Sequence, residues 1–279
     1  MNKLYIQCDG GFGNRFNVLC FGLYLSKILN YSPVVVWPLN NWCGASFFDL
    51  FEKGSLQFCE RSSINLDNTI NIVHENQFEL KTFININSII NIQQIQNLCQ
   101  GKDIFYFNNL IPWRLVSEFD SFKNTILDIK FKKEIVDAAK RIILENCQTQ
   151  PFFGIHIRKT DFGGRSDSVE PQLMSIVQQN CEHKFFICSD DEITENKFLQ
   201  NKNVFRYEKQ DYVKKLLDGS WNSTIVDSNK NSFAFNVDRS KQSVVDAVVD
   251  LLILSKSTII SPDVGSTFMH TARLLGKCY

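Results

Sequence analysis

Residues 156–161 read His-Ile-Arg-Lys-Thr-Asp, directly after the apolar run Phe152-Phe153-Gly154-Ile155. Side chains two apart on a strand point to one side, so His156 and Arg158 share a face. In an open α/β sheet the carboxyl end of a strand delivers its side chains into the ligand crevice. A guanidinium fixed there suits a phosphate, which it grips with paired, charge-assisted hydrogen bonds.

Residues 241–256 are a second place where chemistry is legible. From Val244 to Leu254 they are apolar except for Asp246 and Asp250, which lie four apart and so on one helix face. A helix apolar nearly all round is buried, and a buried carboxylate is costly without partners. Guanine presents two adjacent N–H donors on one edge, and Asp250 could accept both. The alternative is a carboxylate that caps or pairs with Arg239 or a neighbouring turn.

Gly265-Ser266-Thr267 opens the last helix straight after a strand. Free N–H groups, two hydroxyls and the positive helix end would cradle a diphosphate, although an ordinary Ser/Thr N-cap has the same sequence. Arg158 near the same phosphates would neutralise a leaving diphosphate. Ser189-Asp190-Asp191 only imitates a metal-binding Asp-x-Asp, because a helix follows it and no second ligand cluster accompanies it. No metal is expected. Near the N-terminus, Asp9-Gly10-Gly11-Phe12-Gly13-Asn14-Arg15 joins a strand to a helix, where glycines allow close backbone approach to a ligand. A plain tight turn is the competing reading, since the third glycine of a dinucleotide fingerprint is missing.

The elements that would hold these residues alternate strand and helix. Strands are expected at 3–8, 33–37, 70–74, 82–86, 103–107, 152–157, 184–188, 203–207 and 257–261. Helices are expected at 16–29, 46–51, 131–147, 171–180, 192–200, 241–256 and 267–275. Such repeats specify parallel, doubly wound sheets. The alternation is poor over 55–110, whose asparagines are read as compositional bias. The chain of 279 residues fits two domains, 1–150 and 151–279, divided at the polar stretch Glu145–Gln150. Two such domains would leave a cleft, a usual place for a ligand.

Composition narrows the classes. Lys plus Arg and Asp plus Glu balance at 30 each, so nothing marks a nucleic-acid footprint. No apolar run reaches membrane-spanning length and no signal peptide is visible, so a soluble, cytoplasmic protein without membrane insertion is expected. Nine scattered cysteines with no Cys-x-x-Cys fit reduced structural thiols.

Taken in order, His-x-Arg-x-Thr-Asp at 156–161, Ser-Asp-Asp at 189–191, Val-Asp-Leu-Leu-Ile-Leu-Ser at 249–255 and Gly-Ser-Thr at 265–267 resemble the α-1,6-fucosyltransferases, including the rhizobial nodulation enzymes. The Gly-Phe-Gly-Asn of residues 11–14 is similar to the glycine turn of protein O-fucosyltransferases. Residues 40–150 carry no matching motif. The resemblance implies a GT-B arrangement of two Rossmann-like domains, the first on the acceptor side and the second binding the nucleotide sugar. It implies GDP-fucose as donor substrate with no separate cofactor, a carbohydrate acceptor, inversion at the anomeric carbon and no metal. By the same resemblance, His156 and Asp250 would hold guanine. Arg158 would hold the β-phosphate with Gly265, Ser266 and Thr267 beside it, and Asp190 would join the donor site. Gly11, Gly13, Asn14 and Arg15 would face the sugar. Asp161 would fix the loop or Arg158, and Asp161, Asp167 and Glu170 are the candidates for a general base. Lys159 replaces the family's usual second arginine, keeping the charge but losing the fork, and Phe162 replaces a frequent lysine. Two other readings remain: a GT-B enzyme for another nucleotide sugar, and a non-catalytic nucleotide- or glycan-binding protein on the same scaffold.

Overall fold

The computed structural model describes residues 1–74, 80–99, 101–159, 168–217, 224–226, 232–234, 236–262 and 266–278, with 224–226 and 232–234 described by backbone only. The chain forms two compact units. One holds Met1–Leu39, Lys53–Lys130 and Ile225–Phe233, and the other Asn40–Glu52, Phe131–Thr224 and Ala234–Tyr279.

The first unit contains β1 (Lys3–Gln7), α1 (Phe12–Leu29) and β2 (Ser32–Val36). After α2 (Phe47–Leu50), which belongs to the second unit, come β3 (Gln57–Phe58), β4 (Ile70–Val73), β5 (Ile84–Asn85), α3 (Ile92–Leu98), β6 (Ile104–Phe107) and α4 (Phe119–Asp128). The strands pair in the order β3-β2-β1-β6-β4-β5, every pair parallel. Parallel neighbours need a crossover, which α1 supplies between β1 and β2. It buries every residue from Phe12 to Ser26 except Asn14, as its all-round apolar sequence demands. Asn30 ends it in the left-handed region, φ 57°.

The asparagines of 55–110 prove structural. The Asn65, Asn85 and Asn91 side chains each accept a backbone N–H at a turn or helix start. Buried Asn71 donates to the carbonyls of Leu66 and Thr82, tying β4 to its flanking loops. Short Asx turns like these satisfy backbone groups that strands of two to four residues leave open.

The second unit continues with α5 (Lys133–Cys147), β7 (Phe153–Ile157), α6 (Glu170–Gln179), β8 (Phe185–Ser189), α7 (Glu192–Phe198), β9 (Val204–Phe205) and β10 (Lys214–Lys215). After the paired short strands β11 (Thr224–Val226) and β12 (Ser232–Ala234), which fall mostly in the first unit, come β13 (Val237–Asp238), α8 (Lys241–Leu254), β14 (Thr258–Ile259) and α9 (Thr267–Cys278). The main sheet runs β14-β7-β8-β9, again all parallel, with His156 opposite Cys188 and Ile157 opposite Ser189. Helix α5, which precedes the Glu145–Gln150 stretch, packs on α8 and falls within this unit. Phe185, Phe186 and Ile187 are all buried, so β8 is covered on both faces. Each such side chain stabilises the fold by roughly 1.5–3 kcal/mol.

Gly154 lets β7 lie close to the end of α8. A Cβ there would sit 2.0 Å from Ser257 Oγ and 2.6 Å from Leu254 Cδ1. Gly154→Ala is expected to destabilise the protein by about 1–3 kcal/mol through overpacking. Chemical denaturation would measure it, and an unchanged midpoint would mean that α8 can retreat freely.

Candidate functional site

The site grows from the carboxyl ends of β7 and β8. The Asp190 carboxylate, just past β8, accepts the Lys159 N–H at 2.6 Å, tying the two strand ends together. On the other side of β7, Ser261 Oγ accepts the His156 N–H at 2.6 Å. The His156 ring stacks on Phe268 in the first turn of α9, with centroids 4.9 Å apart and planes 22° apart. The fold thus brings His156 against the start of the last helix. Burial, then the charges of Arg158 and Lys209, push the imidazole pKa down to about 3. A neutral imidazole offers one N–H donor and one acceptor.

Asp250 sits in α8 and is 2% exposed. Its Oδ2 meets Lys209 Nζ at 2.9 Å, while Oδ1 has no hydrogen-bond partner. Burial pushes this carboxyl up to about 7 against the pull of Lys209, with Glu195 and Asp246 adding to the rise. Asp246 shares the helix face but has another task. It accepts Tyr207 Oη at 3.1 Å, Gln242 Nε2 at 2.9 Å and the N–H groups of Gln210 and Asp211 at 2.8 and 3.0 Å. That carboxylate is saturated and fastens the 207–211 loop to α8.

Two members of the site were not read from the sequence. Lys209 is buried, with Nζ donating to Glu195 Oε1, to Ser189 O at 2.9 Å and to Asp250 Oδ2. Glu195, fully buried in α7, also accepts the Ser189 N–H at 2.7 Å and Tyr212 Oη at 2.6 Å. A lysine in a short loop and a glutamate in a polar heptapeptide carry no periodic signal, so only tertiary packing shows that they are buried.

Other predicted residues take different places. Asp191 caps α7, accepting Thr194 N–H at 2.8 Å and Thr194 Oγ1 at 2.6 Å. Glu170 lies between Lys159 Nζ at 2.6 Å and Lys197 Nζ at 3.1 Å. Burial raises its carboxyl pKa, but the two lysines outweigh that and hold it below the usual range. A carboxylate so held is a weak proton acceptor, so Glu170 is an ionic clamp on the β7 end. Asp161, Asp167 and Gly265 lie outside the described residues. Ser266, also buried, caps α9 by accepting the Met269 N–H at 3.4 Å, and Thr267 begins that helix half-exposed.

In the first unit the glycine turn is shorter than its sequence suggested. Gly10 takes φ +78° and Gly11 is the extended N-cap of α1, so the helix already runs through Gly13, Asn14 and Arg15. Gly10 is required twice, by its positive φ and because a Cβ would meet Asn14 Nδ2 at 2.8 Å. Arg15 was expected to face a sugar. It is fully buried instead, donating from Nε to Gly10 O and from Nη1 to Pro38 O, both at 2.6 Å, with its guanidinium over the Trp37 ring. It braces the turn from beneath. Gly11 and Asn14 remain partly exposed, and the buried Oδ1 of Asn14 has no hydrogen-bond partner.

Among the described residues no group of three His, Cys, Asp or Glu side chains could hold a metal ion, and no helix is long and apolar enough to cross a membrane. All nine cysteines are free thiols.

No family model matches the chain, and no curated protein matches it in sequence. Solved structures do match. The NodZ α-1,6-fucosyltransferase co-crystallised with GDP aligns with a TM-score of 0.60 at 14% identity, over 98% of this chain and 92% of that one. The fucosyltransferase NodZ from Bradyrhizobium gives the same values, a TM-score of 0.60 at 14% identity over 98% and 92%. POFUT1 in complex with GDP-fucose aligns with a TM-score of 0.52 at 12% identity, over 98% of this chain and 93% of that one. The fold is that of the GT-B fucosyltransferases. At these identities the likeness is one of architecture: two Rossmann-like α/β units with parallel sheets.

Proposed function

We propose that this protein is an inverting glycosyltransferase that moves fucose from GDP-fucose to a hydroxyl of a carbohydrate acceptor. The observation that carries the reading is the pair His156 and Asp250. One ammonium, Lys209, bonds Asp250 and lies near enough to depress the proton affinity of His156. A neutral imidazole can donate to a guanine acceptor, and Asp250 Oδ1 is a buried acceptor without a donor. The fold's likeness to proteins crystallised with GDP or GDP-fucose supports the same ligand.

In this reading the second unit binds the donor and the first serves the acceptor side. Arg158 lies on the β-phosphate, with Ser266, Thr267, Gly265 and the N–H groups opening α9 beside it. The acceptor oxygen attacks the anomeric carbon as the bond to the diphosphate oxygen breaks. GDP leaves with the bonding electrons, and the acceptor proton passes to a base. Asp161 and Asp167 are the remaining carboxylates for that role. The developing charge on the diphosphate is met by the guanidinium and the helix end, so no metal is assigned to the step. Gly11 and Asn14 are assigned to the sugar, and Asp190 acts by holding the β7 end.

A thermal-shift panel tests the donor. GDP and GDP-fucose are expected to raise the melting temperature, and about 2.7 kcal/mol of stabilisation corresponds to a ligand at 100 times its Kd. UDP and dTDP at the same concentration are expected to leave it unchanged. Stabilisation by UDP or dTDP and not by GDP would replace the donor. Binding of GDP-fucose with no GDP released across an acceptor panel would make the protein a binder and not a transferase.

A further inference from the structure

Lys209 lies at the centre of the second unit's buried charge cluster, and no sequence motif points to it. Its side chain is 5% exposed. An ammonium has three N–H donors. Here they meet Glu195 Oε1, Ser189 O and Asp250 Oδ2. The Tyr212 ring covers it, with its centroid 4.9 Å from Nζ. A cation so saturated and enclosed has no donor left for a ligand. What it can still do is fix its neighbours.

The effect on Asp250 is asymmetric. Oδ2 is held by the ammonium, and Oδ1 is buried with no partner. Two other carboxylates, Glu195 and Asp246, act on Asp250, and Glu195 is joined by Arg206 Nη1 at 3.7 Å. Remove Lys209 and the interior favours the protonated acid at Asp250, because burial and like charges both oppose ionisation. A carboxylate accepts N–H groups, whereas a carboxylic acid also donates. The charge state of Asp250 therefore decides which base edge the site can read.

We infer that Lys209 is the positioning residue for base selectivity, acting through Asp250: it holds Oδ2 and keeps Oδ1 as a charged acceptor for the N–H edge of a guanine. This rests on the guanine reading above. Adenine has no N–H at the ring position where guanine has one, so ADP leaves Oδ1 unsatisfied and serves as the reference ligand.

The test is calorimetric titration of the full-length protein with GDP and with ADP. In Lys209→Met the GDP-over-ADP affinity ratio is expected to fall at least about tenfold, the factor that ~1.4 kcal/mol represents. Glu195→Gln removes the charge of another partner of the same ammonium but leaves the Lys209–Asp250 pair, and is expected to keep the ratio within about threefold. A role limited to holding the cluster together would lower GDP and ADP binding alike in both variants, and that outcome overturns the inference. If Lys209→Met does not fold, Lys209→Met/Glu195→Gln leaves one buried carboxylate fewer unmatched, and the same ratio is read on it. A native protein that binds no guanine nucleotide would refute the function. A native protein that prefers GDP, with Lys209→Met keeping the preference, would refute only the role of Lys209.

Discussion

Replacing Arg158 by alanine is expected to lower turnover of GDP-fucose on the order of 10²-fold or more, the loss seen when one preorganised donor to transition-state charge is removed. The residue follows β7 directly, and its neighbour Lys159 is pinned through its N–H to Asp190. The guanidinium is therefore carried on a backbone fixed to two strands. Its charge is felt at His156, where it opposes protonation. Arg158→Lys should recover part of the loss, because it restores charge without the two-pronged fork. Release of GDP measured at saturating donor separates turnover from binding. Equal turnover in native protein and Arg158→Ala would remove Arg158 from the mechanism.

Asp250→Asn is expected to weaken GDP on the order of 10²-fold and ADP by far less. A hydrogen bond to a charged group contributes roughly 1.5–3 kcal/mol, and it is lost in Asp250→Asn because the amide oxygen turns to the Lys209 ammonium and leaves Nδ2, a donor, facing the base N–H. The pH dependence has a definite sign. The folded pKa of Asp250 is raised to about 7 from an unfolded value of 3.8, so between those values the folded state holds a proton that the unfolded chain lacks. Stability from this group is complete below about 4 and is lost as pH rises through 7. Asp250→Asn should flatten that alkaline loss in a series of melting curves. His156 acts in the opposite sense. Its folded pKa of about 3 lies below the ordinary 6.5, so its contribution is lost as pH falls from 6.5 toward 3. Guanine draws the ionised form of Asp250, so the GDP-over-ADP ratio should grow as pH rises through 7. The phosphates of both ligands titrate alike and cancel. A ratio flat with pH, or an Asp250→Asn protein that still prefers GDP, would make Asp250 structural.

The legible parts of this chain were those where one physical constraint dominates. Helix α8 is apolar almost all round, so its burial and the oddity of its two aspartates could be read directly. Which aspartate would be saturated could not, because three of the four donors on Asp246 come from Tyr207 and the 210–211 backbone, more than thirty residues away. The polar end of β7 was visible because the change from apolar to charged is abrupt. Strand β6 was legible at 103–107 as a continuous apolar run, since Ile104–Phe107 is buried at every position, whereas β3, only two residues long, left no signal. The start of α1 was placed late because Gly13 and Asn14 look like turn residues, yet Gly10 and Gly11 alone make the turn. Arg15 misled because an arginine beside a glycine turn suggests a ligand, while its donors serve the carbonyls beneath it. Lys209 and Glu195 were invisible for a related reason: a buried ion pair is written in two distant, ordinary-looking polar segments.

The central claim is that the second unit reads a guanine between His156 and Asp250 and holds its diphosphate at Arg158. A crystal structure of the full-length protein with GDP tests it most directly. The account predicts a base N–H within hydrogen-bonding distance of Asp250 Oδ1, the His156 ring on the same base, and the β-phosphate on the Arg158 guanidinium. GDP seated elsewhere, with Oδ1 of Asp250 still without a donor, would contradict it.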